Sequence, residues 1–182
     1  MKLDKRAKFY IGGLFLISIF MMAYLFNNYY ISSMFMLIFW SVLTIIVESL
    51  LIALPNNSVG VSVGSAINLA SIIVGGPLIG TISAALGFLF RFPNVPEKGR
   101  VHLLNTPFYK TIFNVSQSII GTAIMSLAYL YWGGRIGHFH FPQAIFILLL
   151  GMVINSSIIS ALMSILNKED FIKIWIANIR GV

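Results

Sequence analysis

The chain has 182 residues, 58% of them hydrophobic and only 9% charged, and its mean hydropathy of +0.92 excludes an ordinary soluble domain, whose single modest core has no room for so much apolar surface. Its formal net charge of +7 comes without any basic cluster interleaved with aromatics on a polar face, which argues against a nucleic-acid partner. The absence of cysteine excludes disulfides and thiolate metal sites, and the five acids Asp4, Glu48, Glu97, Glu169 and Asp170 are too few and too scattered for a two-metal hydrolase.

These bounds predict an all-α integral membrane protein, one polytopic domain over residues 1–182, with the lipid bilayer as its first partner, no cofactor and no enzymatic constellation of its own. The first apolar run, Phe9–Phe26, follows Lys2, Lys5, Arg6 and Lys8 and precedes Asn27-Asn28. It is long for a secretory signal and no small-x-small cleavage site follows it, so it reads as an uncleaved anchor. The second run, Met34–Leu54, carries one charge, Glu48, and ends at Pro55-Asn56-Asn57, where a helix must stop.

Val59–Phe90 has no charged residue but is interrupted at Gly75-Gly76-Pro77, which joins the most permissive residue to one that cannot continue a helix. The segments 59–74 and 77–90 are each about 15 residues, or roughly 23 Å at the helical rise, short of a hydrocarbon core of about 30 Å. They form either two short spans or a re-entrant hairpin. Gly60 and Gly64 stand four apart, as do Gly76, Gly80 and Ala84. Such rows either pack helices closely or flank a cavity that satisfies broken backbone at membrane depth.

Arg91–Thr106 reads as a polar loop, and Phe108–Trp132 and Phe141–Leu166 complete six apolar segments. With the N-terminus in the cytoplasm, eleven of the twelve Lys and Arg residues lie on the cytoplasmic side and only Arg135 lies outside, which predicts both termini inside and a multi-pass protein of the cytoplasmic membrane. The tail, 167–182, contains Phe171, Trp175 and Ile179 on one helical stripe and reads either as an interfacial helix or as the run-up to another membrane helix. The chain's end at Val182 lacks a capping signal, which suggests the front part of something longer.

Glu48 is the acidic residue within a span, and an intramembrane carboxylate is a functional candidate unless it pairs with a cation such as Arg91 or Lys110. Asn68, Asn114, Gln117 and Asn155 must find polar partners in hydrocarbon. Asn114 and Gln117 share a helix face, while Ser156, Ser160 and Ser164 repeat at four. These groups either hold helices together or, with Glu48, shape a pocket for a small polar ligand. His138-Phe139-His140 is a weak metal signal without a nearby carboxylate or thiol.

The order Pro55-Asn56, Val61-Ser62-Val63-Gly64-Ser65-Ala66-Ile67, Gly76-Pro77, Gly80 and Gly87, then Pro107-Phe108-Tyr109-Lys110-Thr111-Ile112-Phe113-Asn114-Val115-Ser116-Gln117, resembles the N-terminal multi-helix membrane region of bacterial signalling proteins that end in HD-GYP phosphohydrolases or GGDEF cyclases. The resemblance covers roughly residues 34–166. It implies a sensory or regulatory module acting on cyclic-di-GMP turnover through a cytoplasmic output domain. No His-Asp dipeptide or GGDEF-like string is present, so no catalytic role carries over. Size, basicity and glycine content also suit the substrate-binding subunit of an energy-coupling-factor vitamin transporter, whose partners would be ATPases and a transmembrane subunit. A second copy of the chain is a further candidate partner.

Overall fold

A computed structural model describes residues 3–50, 52–53, 60–61, 64–95 and 99–180. Six helices and two short strand pairs are present among them, in the order α1 (Lys5–Asn28), α2 (Met34–Ser49), β1 (Ile52–Ala53), β2 (Gly60–Val61), α3 (Gly64–Phe90), β3 (Asn94–Val95), β4 (Gly99–Arg100), α4 (Phe108–Tyr131), α5 (Phe141–Asn167) and α6 (Phe171–Arg180). α1, α3, α4 and α5 are long and apolar enough to cross a membrane. Large side chains such as Phe20, Phe35, Phe146 and Leu149 are exposed along the bundle, a surface that fits a lipid bilayer and not water.

α3 and α4 form the centre, and most of their apolar length is buried. α3 is two helices, because Gly76 takes φ 84° and ψ 179°, a conformation that side chains with a Cβ rarely adopt. Pro77 then opens the second arm, where its missing N–H costs no helical hydrogen bond. The arms fold back on each other: a Cβ on Gly80 would stand 3.2 Å from both the backbone nitrogen and the Cα of Ile72. Eight residues of continuous helix would separate those positions by about 12 Å. The arms, 64–75 and 77–90, are therefore a helical hairpin with Gly75-Gly76-Pro77 at its tip.

The first arm packs Leu69, Ile72 and Ile73 against Met125 and Tyr129 of α4 and Ala144 and Ile147 of α5. The second arm places Leu78 against Leu25 of α1 and Ala123 of α4, and its Ser83 hydroxyl lies 3.3 Å from that of Ser41 on α2. Ile11 and Leu14 of α1 meet Phe113 and Ile120 of α4, with Ile158 and Ile159 of α5 beside them. α1 and α4 thus start at one end of the bundle, where α2, the hairpin and α5 finish. Lys5, Arg6, Lys8, Arg91, Arg100 and Lys110 gather at this basic end.

The other end is closed by the α4–α5 loop. Gly137 N–H donates to Ile73 O at 2.7 Å, satisfying one of the last carbonyls of the first arm, and Ile136 Cδ1 would lie 3.0 Å from a Cβ on Gly76. Tyr129 Oη donates to His138 O at 2.6 Å and fastens the loop to α4. The break foreseen at Gly75-Gly76-Pro77 is therefore capped as well as bent.

The segment boundaries differ from the sequence reading in two places. α2 ends at Ser49 and not at Leu54, because Ser49 Oγ accepts the Phe92 N–H at 2.9 Å and Ile52–Ala53 turn into an antiparallel pairing with Gly60–Val61. Gly60 is consequently a strand residue opposite Ala53, and the Gly60/Gly64 row is not a helix face. Pro55, Asn56 and Asn57, the anticipated helix stop, lie outside the described residues. The tail 171–180 is helical, with Phe171, Ile172, Ile176 and Ile179 exposed, while Trp175 turns toward α5.

The contact at Gly80 gives a paired prediction. Gly80→Ala must push Ile72's backbone aside and should destabilise the protein by about 1–3 kcal/mol. Gly121→Ala, whose Cβ meets nothing within 4 Å, should be neutral or stabilise by up to about 1 kcal/mol through helix propensity. Thermal unfolding in one detergent compares the two, and equal melting temperatures would contradict the close packing of the arms.

Candidate functional site

Glu48 sits in the last turn of α2, 2% exposed, with Oε2 3.9 Å from Nη1 of Arg91. Arg91 follows the second arm of α3 directly, so the fold-back of α3 and the end of α2 together bring the two charges into reach. The separation is that of an ion pair and is too long for a hydrogen bond. The guanidinium also lies 4.7 Å from the centre of the Phe88 ring, a favourable cation–π placement. Burial lowers the Arg91 pKa from the usual arginine value, and the Glu48 carboxylate opposes that shift; an arginine remains charged at neutral pH in either case.

The amides separate into different seams. Gln117 Nε2 donates to Asn155 Oδ1, tying α4 to α5. Asn114, one turn earlier on α4, instead borders a small cleft with Arg91, Val101, His102 and Thr106. Asn68 is buried in the first arm of α3 and its Oδ1 makes no hydrogen bond among the described residues. Its backbone carbonyl accepts from Ser71 Oγ at 2.8 Å. Among the described residues, Glu48, Asn68, Asn114, Gln117 and Asn155 are distributed over the bundle, with Gln117 and Asn155 bonded to each other. They mark three places: the ion pair with its cleft, the α4–α5 seam, and the hairpin interior.

Among the packing glycines, Gly75, Gly76, Pro77 and Gly80 are all buried at the hairpin, and Gly64 begins its first arm. Two further close approaches occur, at Gly87, which the sequence pattern contains, and at Gly151, which it does not single out. A Cβ on Gly87 would collide with the Thr44 side chain of α2, and one on Gly151 with the Met125 side chain of α4. Gly87 stands four residues after Ser83 in the second arm, whereas Gly151 has no small residue four positions away. Among the described residues, no three His, Asp or Glu side chains group as a metal site requires.

The serines of α5 receive α6. Trp175 Nε1 donates to Ser157 Oγ at 3.0 Å, and Asn178 Nδ2 donates to Ser160 Oγ at 2.8 Å. Ser160 is fully buried, and Ser157 also donates to Val153 O at 2.7 Å. α5 thus bonds α4 through Asn155 and α6 through Ser157 and Ser160. Of the stripe Ser156, Ser160 and Ser164 only Ser160 receives a side chain of α6, Ser164 donates to Glu169 O at 2.7 Å, and the second acceptor, Ser157, lies off the stripe.

Comparison with known proteins gives no match to this chain among family models, curated proteins or solved structures.

The ion pair is open to a double-mutant cycle. Arg91→Gln leaves a buried carboxylate without its cation and should cost about 1–3 kcal/mol, whereas Glu48→Gln/Arg91→Gln should recover at least half of that loss. Thermal unfolding of Glu48→Gln, Arg91→Gln and the double variant beside the parent measures the coupling; a double variant that loses the sum of the two single losses would mean that the two groups do not stabilise one another.

Proposed function

We propose that the chain is a membrane-embedded sensory or regulatory module with both termini in the cytoplasm, acting on cyclic-di-GMP turnover through a cytoplasmic output domain. The observation that carries this reading is the double tether of α6 to α5, the same helix that bonds Gln117 of α4 through Asn155. A change in packing between α4 and α5 must move the groups that hold α6, and α6 leads toward any output domain. A transmitter needs such an element, with two arrangements whose balance a ligand or a membrane change shifts.

The broken hairpin supports the same reading. Its arms are held by close backbone contact and by the α4–α5 loop, so displacement of the first arm is felt directly at Met125, Tyr129 and Ile147. Asn68, whose buried carboxamide oxygen lacks a partner among the described residues, is the group in this arm suited to receive a donor from a small polar ligand. The excess of Lys and Arg at the basic end supports its cytoplasmic placement. The resemblance over residues 34–166 supplies the class of output.

Two measurements test the proposal. An antibody against the loop from Arg91 to Thr106 should detect, in the source cells, a species well above 20.2 kDa whose immunoprecipitate makes or degrades cyclic-di-GMP. A 20.2 kDa species that brings ATPases with it overturns the proposal in favour of a transporter subunit. In the larger protein, Gln117→Ala and Trp175→Phe should each change the turnover rate at least threefold at equal protein level, a change of about 0.7 kcal/mol in the balance between states. Unchanged turnover in both variants would remove the α4–α5–α6 path from the mechanism.

A further inference from the structure

A cavity of about 280 Å³ lies between α1 and α4, with Leu89 of the hairpin at its edge. Its walls are apolar, among them Phe15, Ile19 and Met22 on α1 and Ile112, Val115 and Ile119 on α4. The two hydroxyls that reach it, Ser18 and Ser116, are already engaged: they lie 3.4 Å apart, and Ser18 also bonds Phe15 O at 2.7 Å. The wall on α4 extends from Phe108 to Ile119, about 16 Å along the helix axis. That is close to half the hydrocarbon thickness of about 30 Å, the depth of one leaflet.

The shallow end of this groove adjoins the cleft beside Arg91, a space of about 40 Å³ that shares Leu89 and Thr111 with the groove as lining residues. The cleft has a different chemistry, since Arg91, His102, Thr106 and Asn114 border it. Because Glu48 approaches Arg91 only to 3.9 Å, the hydrogen-bond donors of the guanidinium remain for another anion. His102 Nδ1 accepts the Leu104 N–H at 3.2 Å, which places the proton of the neutral ring on Nε2 as a further donor. Arg100 and Lys110, both exposed, stand on the loop and helix turn that frame this end.

We infer that the groove and cleft form one binding site for an anionic membrane lipid, with an acyl chain between α1 and α4 and the phosphate headgroup at Arg91 and His102. The length of the groove matches one leaflet, its walls exclude a polar solute, and the charge at its mouth is complementary to a phosphate. A soluble phosphate would use only the cleft and leave the apolar groove unexplained. The inference is independent of the signalling proposal, because it concerns the α1–α4 face and not α6.

The test uses the full chain in neutral detergent and native mass spectrometry, titrating phosphatidylglycerol and phosphatidylcholine with identical acyl chains, and glycerol phosphate alone. Phosphatidylglycerol should bind about tenfold more tightly than phosphatidylcholine, and glycerol phosphate should not be retained. His102→Ala should reduce the preference for phosphatidylglycerol without touching the Glu48–Arg91 pair. Val115→Trp fills the groove from α4 and should abolish retention of both lipids; Ile19→Trp fills it from α1, so a folding defect in one variant leaves the other decisive. Equal binding of the two lipids, glycerol phosphate binding as tightly as the whole lipid, or full retention by the groove-filled variants would overturn the inference.

Discussion

The contact between Gly80 and the backbone of Ile72 is the constraint on which the bundle depends. It allows a 27-residue apolar helix to be spent as two short arms, so that the chain reaches the far end of the bundle and returns within one element. The positive φ at Gly76 makes the reversal, and the missing Cβ at Gly80 lets the arms touch. Each arm then presents its own outer face: the first meets α4 and α5, the second α1, α2 and α4. Replacing the hairpin by a continuous helix would leave Leu78 and Ser83 with no route to their partners, and Arg91 would emerge at the wrong end, far from Glu48.

The polar groups follow from that geometry. A lone carboxylate near the end of α2 is costly in an apolar setting, and its cation is supplied by the residue just after the returning arm. The Ser41–Ser83 contact and the Ser49 acceptance of the Phe92 N–H align α2 with the same arm. The ion pair is therefore the terminal member of a seam and not an isolated feature. Removing the hairpin's return would take Arg91 away from Glu48.

Much of the helical architecture was legible because hydrocarbon imposes a simple pattern: long apolar runs and breaks at Gly-Pro. Where the reading stopped short, the cause was tertiary. Hydropathy cannot distinguish Ile52–Ala53 as the end of a helix from the same residues in a strand pair, because both are apolar and the choice lies with Gly60–Val61. The pattern at Gly76, Gly80 and Ala84 showed small residues but not what they would touch. Close approaches at Gly87 and Gly151 depend on Thr44 and Met125, residues distant in sequence. The candidate amides were visible one by one, yet their distribution among three seams depends on helix rotation, and a 3.6-residue period leaves the neighbour of each face open.

The two ends of the bundle consequently have different mechanical characters. At the tip, Gly137 N–H, Ile136 and the Tyr129 hydroxyl hold the hairpin against the α4–α5 loop, with a backbone carbonyl satisfied and little polar freedom left. At the basic end, the Glu48–Arg91 pair stands at ion-pair distance, the apolar groove between α1 and α4 adjoins a charged cleft, and α6 is fastened by two side-chain hydrogen bonds to serines. Side-chain contacts of this kind contribute about 0.5–1.5 kcal/mol each, small enough to be exchanged by a ligand, a lipid or a partner without unpacking the apolar clusters. The tip is thus held by a backbone hydrogen bond and close packing, whereas the last helix is attached at the basic end by side-chain contacts.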